Sequence, residues 1–279
     1  MLEDAGFTDT ESIVTSKNTY VAPFVNAEEA QYLVIENAFP NGRPALENAG
    51  VMFTSRETVE KVERMKVCTC LNPLHTALAV YGCLLGYTKI SDEMKDADLV
   101  KLVEIIGYKE GLPVVTDPGI LSPKKFIDEV LQIRVPNPFM PDTPQRIACD
   151  TSQKLSIRFG ETIKEYMASS ELDVKSLKFI PMVQAGWCRY LLGVDDELNA
   201  FTVSPDPMYE ELAGKLAGVK VGESCDVHAV LSPILSDAKI FGVNLYEAGL
   251  GEYVESIFAE LIAGKGAVRQ TLKRHLAEA

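Results

Sequence analysis

The chain has 279 residues, 47% hydrophobic and 24% charged, which is ample material for the core of one large or two modest domains. Its 27 Lys and Arg stand against 40 Asp and Glu, a formal charge of −13, so the sequence argues against nucleic acid as a partner. No run of 18 apolar residues is present, MLEDAGFTDTES lacks the pattern of a secretory leader, and the six cysteines (68, 70, 83, 149, 188 and 225) are scattered through apolar stretches; a soluble cytoplasmic protein with buried free thiols and no membrane span is expected.

Residues 13–35, IVTSKNTYVAPFVNAEEAQYLVI, are rich in Val, Tyr and Ile in short alternating pieces, which predicts strands or extended chain. FPNGRP (39–44) predicts a turn, with Asn41-Gly42 supplying the positive φ. From about residue 57 the period becomes helical. LHTALAVYGCLLGY is apolar nearly all round and predicts a buried central helix. In DADLVKLVEIIGYKEG, Leu99, Leu102, Val103 and Ile106 fall at helical spacing, and Gly107 is the expected stop. SPKKFIDEVLQIR opens on a cap, Ser122, and a first-turn Pro123. SLKFIPMVQAGWCRYLLG, DPMYEELAGKLAG and GEYVESIFAELIAGKG continue the helical series. GLGEYVE and AGKGAVRQ contain G-x-G, but neither follows an apolar strand, so both read as turns at helix ends rather than phosphate cradles.

Two polar clusters stand out. In KVCTCLNPLHTA (66–77), Asn72 before Pro73 predicts a helix start with asparagine as the cap, burying Leu74, Leu78 and Tyr81. His75 follows three residues later, so both polar groups can face the helix mouth. On one unbroken helix Lys66 and His75 would lie about 180° apart, so they converge only if the chain bends near Pro73. From spacing alone the cluster reads first as a cap, a core histidine and a solvated lysine. A zinc set of Cys68, Cys70 and His75 is disfavoured, because C-x-C is not a usual zinc pair and no second cluster completes it. In RVPNPFMPDTPQRIACDTSQK (134–154), Thr143-Pro144 predicts one helix start and Asp150 to Gln153 a capping box for the next. Arg146 and Lys154 lie near this junction and could hold a carboxylate or a polyhydroxylated ligand, or be plain surface charges.

The stretch ERMKVCTCLNPLHTALAVYGCLLGY resembles the polyol-specific long-chain dehydrogenase/reductase family, which includes mannitol dehydrogenase and mannonate (fructuronate) oxidoreductase. YLVIENAFPNGRP, NPFMPDTPQRIACDTSQK, AGWCRYLLG and FGVNLYEAG extend the resemblance over nearly the whole chain. It implies a mainly α fold: a multi-helical, 6-phosphogluconate-dehydrogenase-like C-terminal domain over 55–279, preceded over 1–54 by a short extended remnant of a dinucleotide-binding domain. The family motif falls on Lys66, Asn72 and His75 as the catalytic set, and on Arg146 and Lys154, eight residues apart, as the substrate-binding pair. Five residues separate Lys66 from Asn72 where the family pattern has four, so one residue would have to bulge to deliver the amine.

The implied reaction is metal-independent, NAD- or NADP-dependent interconversion of alcohol and ketone on a sugar acid or polyol, with lysine as general base. A nucleotide-binding half outside this chain is expected, and with it little activity from the chain alone. The alternative is a helical module that keeps the scaffold for binding or assembly without catalysis.

Overall fold

A computed structural model describes residues 13–14, 20–21, 33–140 and 142–279. Much of the extended stretch expected over 13–35 therefore lies outside the described residues. What is described there is β1 (Ile13–Val14) pairing antiparallel with β2 (Tyr20–Val21), and β3 (Val34–Glu36) pairing in parallel with β4 (Met52–Thr54), with Ile35 opposite Phe53. The connection between β3 and β4 contains the expected turn: Gly42 N–H donates to the Phe39 carbonyl at 3.1 Å, with Gly42 at φ 77°. Arg43 lies 3.4 Å over the Phe53 ring and pairs with Glu47, fixing this corner.

From residue 56 onward the regular structure of the described chain is almost entirely helical. Ser55 caps α1 (Arg56–Met65) by accepting from Thr58 N–H at 3.2 Å. A π-helical turn over 66–70 leads into α2 (Asn72–Leu84), and α3 (Ile90–Glu93) and α4 (Ala97–Glu104) follow. Then come α5 (Pro123–Glu129), α6 (Pro144–Ile147), α7 (Glu161–Ala168) and α8 (Phe179–Tyr190). The last five are α9 (Tyr209–Leu216), α10 (Val227–Leu235), α11 (Ala238–Phe241), α12 (Gly251–Leu261) and α13 (Ala267–Ala277). The mainly α architecture expected from the sequence is the one observed.

The core is organised on α2 and α8. Every residue of α2 after Asn72 is buried, as its unbroken apolar composition requires. Helix α8 packs on α2 and α12, and Gly186 lets it approach: a Cβ there would meet the Tyr81 ring at 3.1 Å. Residues 56–84, from α1 through α2, are apolar and long enough to cross a membrane by length and composition, yet 89% of the apolar window is buried inside the protein. The start of α8 is held by Glu110, whose carboxylate accepts from the backbone N–H of Lys178, Phe179 and Ile180 at 2.7 Å each.

Three local expectations are corrected. Gly107 does not end α4; the helix continues as a π-helical stretch over 105–111, and Gly107 instead gives Leu74 and Ile127 room to pack, at 3.4 Å from where a Cβ would be. Asp150 does not form a capping box. It sits at φ 52°, and the following turn is held by Asp206, which accepts from Ser152 N–H at 2.8 Å and Ser152 Oγ at 2.5 Å. Asn72 is not a cap: it is the first residue of α2, preceded by Leu71 at φ −130°. Thr143 and Ser122 do cap α6 and α5 through their hydroxyls.

Candidate functional site

A cavity of about 540 Å³ opens where α1, α2, α5 and α6 meet. Lys66, Asn72, His75 and Arg146 all line it. Their convergence has a backbone cause. The π-helical turn spans Lys66 to Cys70, and Leu71 N–H closes it by donating five residues back to the Lys66 carbonyl at 3.1 Å. A π turn accommodates one residue more than an α turn. The extra residue noted between Lys66 and Asn72 is therefore absorbed as a bulge. The break at Leu71 then turns the start of α2 so that Asn72 and His75 face the same space as Lys66.

Lys66 is about three-quarters buried and its ammonium pairs with Glu63 at 3.0 Å. The Asn72 side chain makes no hydrogen bond among the described residues, because the backbone break leaves it free of the capping duty its sequence position suggested. The Asn72 carbonyl is engaged: Thr76 Oγ1 donates to it at 2.8 Å, and Arg158 in turn donates to Thr76 Oγ1 at 2.7 Å. This relay fixes the first turn of α2 from behind. His75 is 9% exposed. Burial pushes its imidazole down to about 4; Asp142 opposes the shift, and Arg134, Arg158 and Arg146 add to it. The ring is thus neutral near pH 7 and can both donate and accept.

Arg146 lies on α6, more than half exposed, and pairs with Asp142. Lys154 stands apart from the other four: it is not on the cavity lining, and its ammonium donates to the Cys149 carbonyl. Burial, and then Arg158, lowers its pKa. The structure brings four of the five expected residues together.

Two further residues were not singled out by the sequence. Arg134 lines the cavity from the end of a π-helical turn over 130–134. Arg158 sits in another, over 156–160, half-buried behind α2, where burial lowers its pKa to about 10. Neither had a local signal, since their direction depends on the non-α register of their turns. Cys68 and Cys70 are buried, and burial pushes the Cys70 thiol up to about 12, so it stays protonated. Among the described residues no three His, Cys, Asp or Glu side chains gather as a metal set. Nor do the described residues include a glycine loop between strand and helix that could cradle a pyrophosphate: β4 passes into α1 through Ser55, with no glycine.

The cavity lining combines one amine, one free amide, one neutral imidazole and two arginines. It suits an oxygen that changes its proton on a polar, polyhydroxylated ligand.

Residues 58–258 match the family model described as mannitol dehydrogenase C-terminal domain. The chain is 60% identical over 276 residues to a D-mannonate oxidoreductase of Thermotoga maritima, covering 98% of this chain and 51% of that protein. It is 31% identical over 241 residues to a mannitol 2-dehydrogenase of Aspergillus niger, covering 84% and 47%. Among solved structures it superimposes on Pseudomonas fluorescens mannitol 2-dehydrogenase, a ternary complex with NAD and D-mannitol, with a TM-score of 0.75 at 26% identity, covering 94% of this chain and 49% of that one. The chain spans about half the length of the relatives it matches.

Proposed function

The chain belongs to the mannitol dehydrogenase family through its C-terminal domain, and on that premise we propose that it is the substrate-binding and proton-transferring half of an NAD(P)-dependent oxidoreductase acting on a sugar acid of the mannonate/fructuronate type. The observation that carries this reading is the convergence of Lys66, Asn72, His75 and Arg146 on one cavity of about 540 Å³. That volume is in the range of small-molecule sites, roughly 300–1,000 Å³. The sugar-acid class rests on the 60% identity to a D-mannonate oxidoreductase, against 31% to a mannitol 2-dehydrogenase.

We read residues 55–279 as the substrate domain and residues 1–54 as the end of the nucleotide-binding half. A two-stranded parallel pair such as β3 and β4 is uncommon in isolation and common inside larger parallel sheets, which supports this division. The nucleotide, when bound by the rest of the enzyme, supplies the hydride acceptor. Whether it is NAD or NADP is set by residues of that half.

The residues of this chain handle the oxygen and its proton. In the oxidation direction, Lys66 is the group that takes the hydroxyl proton. The Asn72 amide donates to the same oxygen while it carries negative charge. His75, held neutral by burial, hydrogen-bonds the reacting or the neighbouring hydroxyl. Arg146 binds the far end of the ligand. Lys154 acts indirectly, by gripping the Cys149 carbonyl in the loop that follows α6.

The test is Lys66→Ala in the polypeptide that includes the nucleotide-binding half. Turnover of D-mannonate should fall by at least about a hundredfold, with nucleotide binding retained. Near-normal turnover would remove Lys66 as the base.

A further inference from the structure

We propose that Arg134 is the residue that recognises the carboxylate of an acidic sugar, and so sets preference for sugar acids over neutral polyols; this rests on the oxidoreductase reading above. Three cations line the cavity, and two of them are already matched. Lys66 pairs with Glu63, and Arg146 pairs with Asp142. Arg134 has no hydrogen bond or ion pair from its guanidinium among the described residues. The remaining carboxylate on the lining, Glu129, is exposed and makes no ion pair with it. Arg134 is therefore the cation on the lining that no carboxylate contacts among the described residues, and an anionic ligand would give its guanidinium a partner.

The position of Arg134 strengthens the case. Its Nε is enclosed by protein and has no acceptor. Leu131 and Val135, its near neighbours in sequence, are buried. A guanidinium with part of its surface shut off from water is less well hydrated and attracts an anion more strongly than one in bulk solvent. Since Nε is enclosed, the terminal Nη1–Nη2 edge is the one left for a ligand, and a carboxylate fits that edge as a two-point fork. A hydroxymethyl group in its place could not use both bonds or the charge. Burial, with the nearby arginines adding to it, keeps His75 neutral, so an anion at Arg134 meets no competing imidazolium.

The experiment is calorimetric titration of this chain and its variants with D-mannonate and with D-mannitol, which has the same carbon skeleton with CH₂OH for the carboxylate. Arg134→Met, with Arg134→Gln as a second neutral variant, should weaken D-mannonate by roughly ten- to a hundredfold and leave D-mannitol within twofold. Arg134→Lys, which keeps charge without the fork, should fall between. Arg146→Met should weaken both ligands together. Unchanged D-mannonate affinity in both neutral variants, or an equal loss for the two ligands, overturns the assignment while leaving the oxidoreductase reading intact. Failure of the unmodified chain to bind D-mannonate overturns the sugar-acid reading and this one with it.

Discussion

Replacing Glu93 by methionine should stabilise the protein, and by an amount that grows with pH. Glu93 is completely buried at the end of α3, and neither carboxyl oxygen has a hydrogen-bond partner. It lies against Gly82 of α2, where a Cβ would fall 2.1 Å from Oε1. Burial, and then Asp96, raises the acid from its ordinary 4.5 to about 9. In the unfolded chain Glu93 is ionised above about pH 4.5; in the native protein it stays protonated to about 9. Between those limits the native state holds one more proton than the unfolded state, so this site makes stability fall as pH rises. The slope is about 1.4 kcal/mol per pH unit. At pH 7 folding must therefore supply about 3.5 kcal/mol to neutralise the group, from the interval of about 2.5 pH units at that slope. Methionine has similar length and carries neither the proton requirement nor the unpartnered oxygens. Urea denaturation of Glu93→Met and the unmodified chain at pH 5, 6, 7 and 8 should show the difference in unfolding free energy widening by about 1.4 kcal/mol per unit. Glu93→Gln should abolish the same slope while gaining less, because its amide stays unpartnered. A constant difference across pH 5–8 would show that Glu93 has the same protonation state folded and unfolded, and the reasoning would fail.

Three other outcomes test the site and its support. Deleting Thr69 from the π turn should restore an α register, rotating Lys66 by about 100° and shifting it about 1.5 Å relative to Asn72; turnover in the enzyme with its nucleotide-binding half should drop by about a hundredfold or more, with D-mannonate binding to Arg134 and Arg146 weakened far less. Arg158→Met should cost about 1–3 kcal/mol of stability by leaving Thr76 without its donor, and should move the His75 midpoint upward from about 4 in an NMR titration, since a nearby cation is gone; an unmoved midpoint would mean that burial alone sets it. Gly160→Ala should lower the melting temperature sharply, by about 3 kcal/mol or more in free energy, because its Cβ would lie 2.2 Å from the Phe241 carbonyl oxygen, and that neighbour is backbone that cannot rotate away.

The sequence made some of this legible and hid the rest for definite reasons. Helix α2 could be read because LHTALAVYGCLLGY is apolar on every face, and only a fully enclosed helix tolerates that. Ser122 and Thr143 could be read as caps because each precedes a proline that fits a first turn. Asn72 has the same local signature and was misleading: α2 begins one residue earlier than that signature implies, and His75 N–H, which a cap at 72 would bind, donates to the Leu71 carbonyl instead. Gly107 misled because glycine is also used where a neighbouring side chain needs the space. Lys66, Asn72 and His75 were visible as a group because they are close in the chain. Arg134 was not, because it is about sixty residues from Asn72 in sequence and its aim depends on a backbone turn that no local pattern announces.

The π turns explain why the polar groups sit where an ordinary helical pattern would not put them. There are four such stretches among the described residues, over 66–70, 105–111, 130–134 and 156–160. The first begins with Lys66, the third ends with Arg134, and the fourth carries Arg158; the second carries Glu110, which turns inward to hold the start of α8. In a regular amphipathic helix the register that buries the apolar stripe also sends charges to solvent. One added residue shifts the following side chains by roughly a quarter turn. A charge can then face inward while the apolar residues on either side keep their core contacts, as with Leu131 and Val135 around Arg134, or Leu155 and Phe159 around Arg158. Such a bulge gives up regular hydrogen bonding and brings no core packing of its own. Two of the four stretches, 66–70 and 130–134, line the cavity, so the register of those two turns sets where Lys66 and Arg134 sit on it.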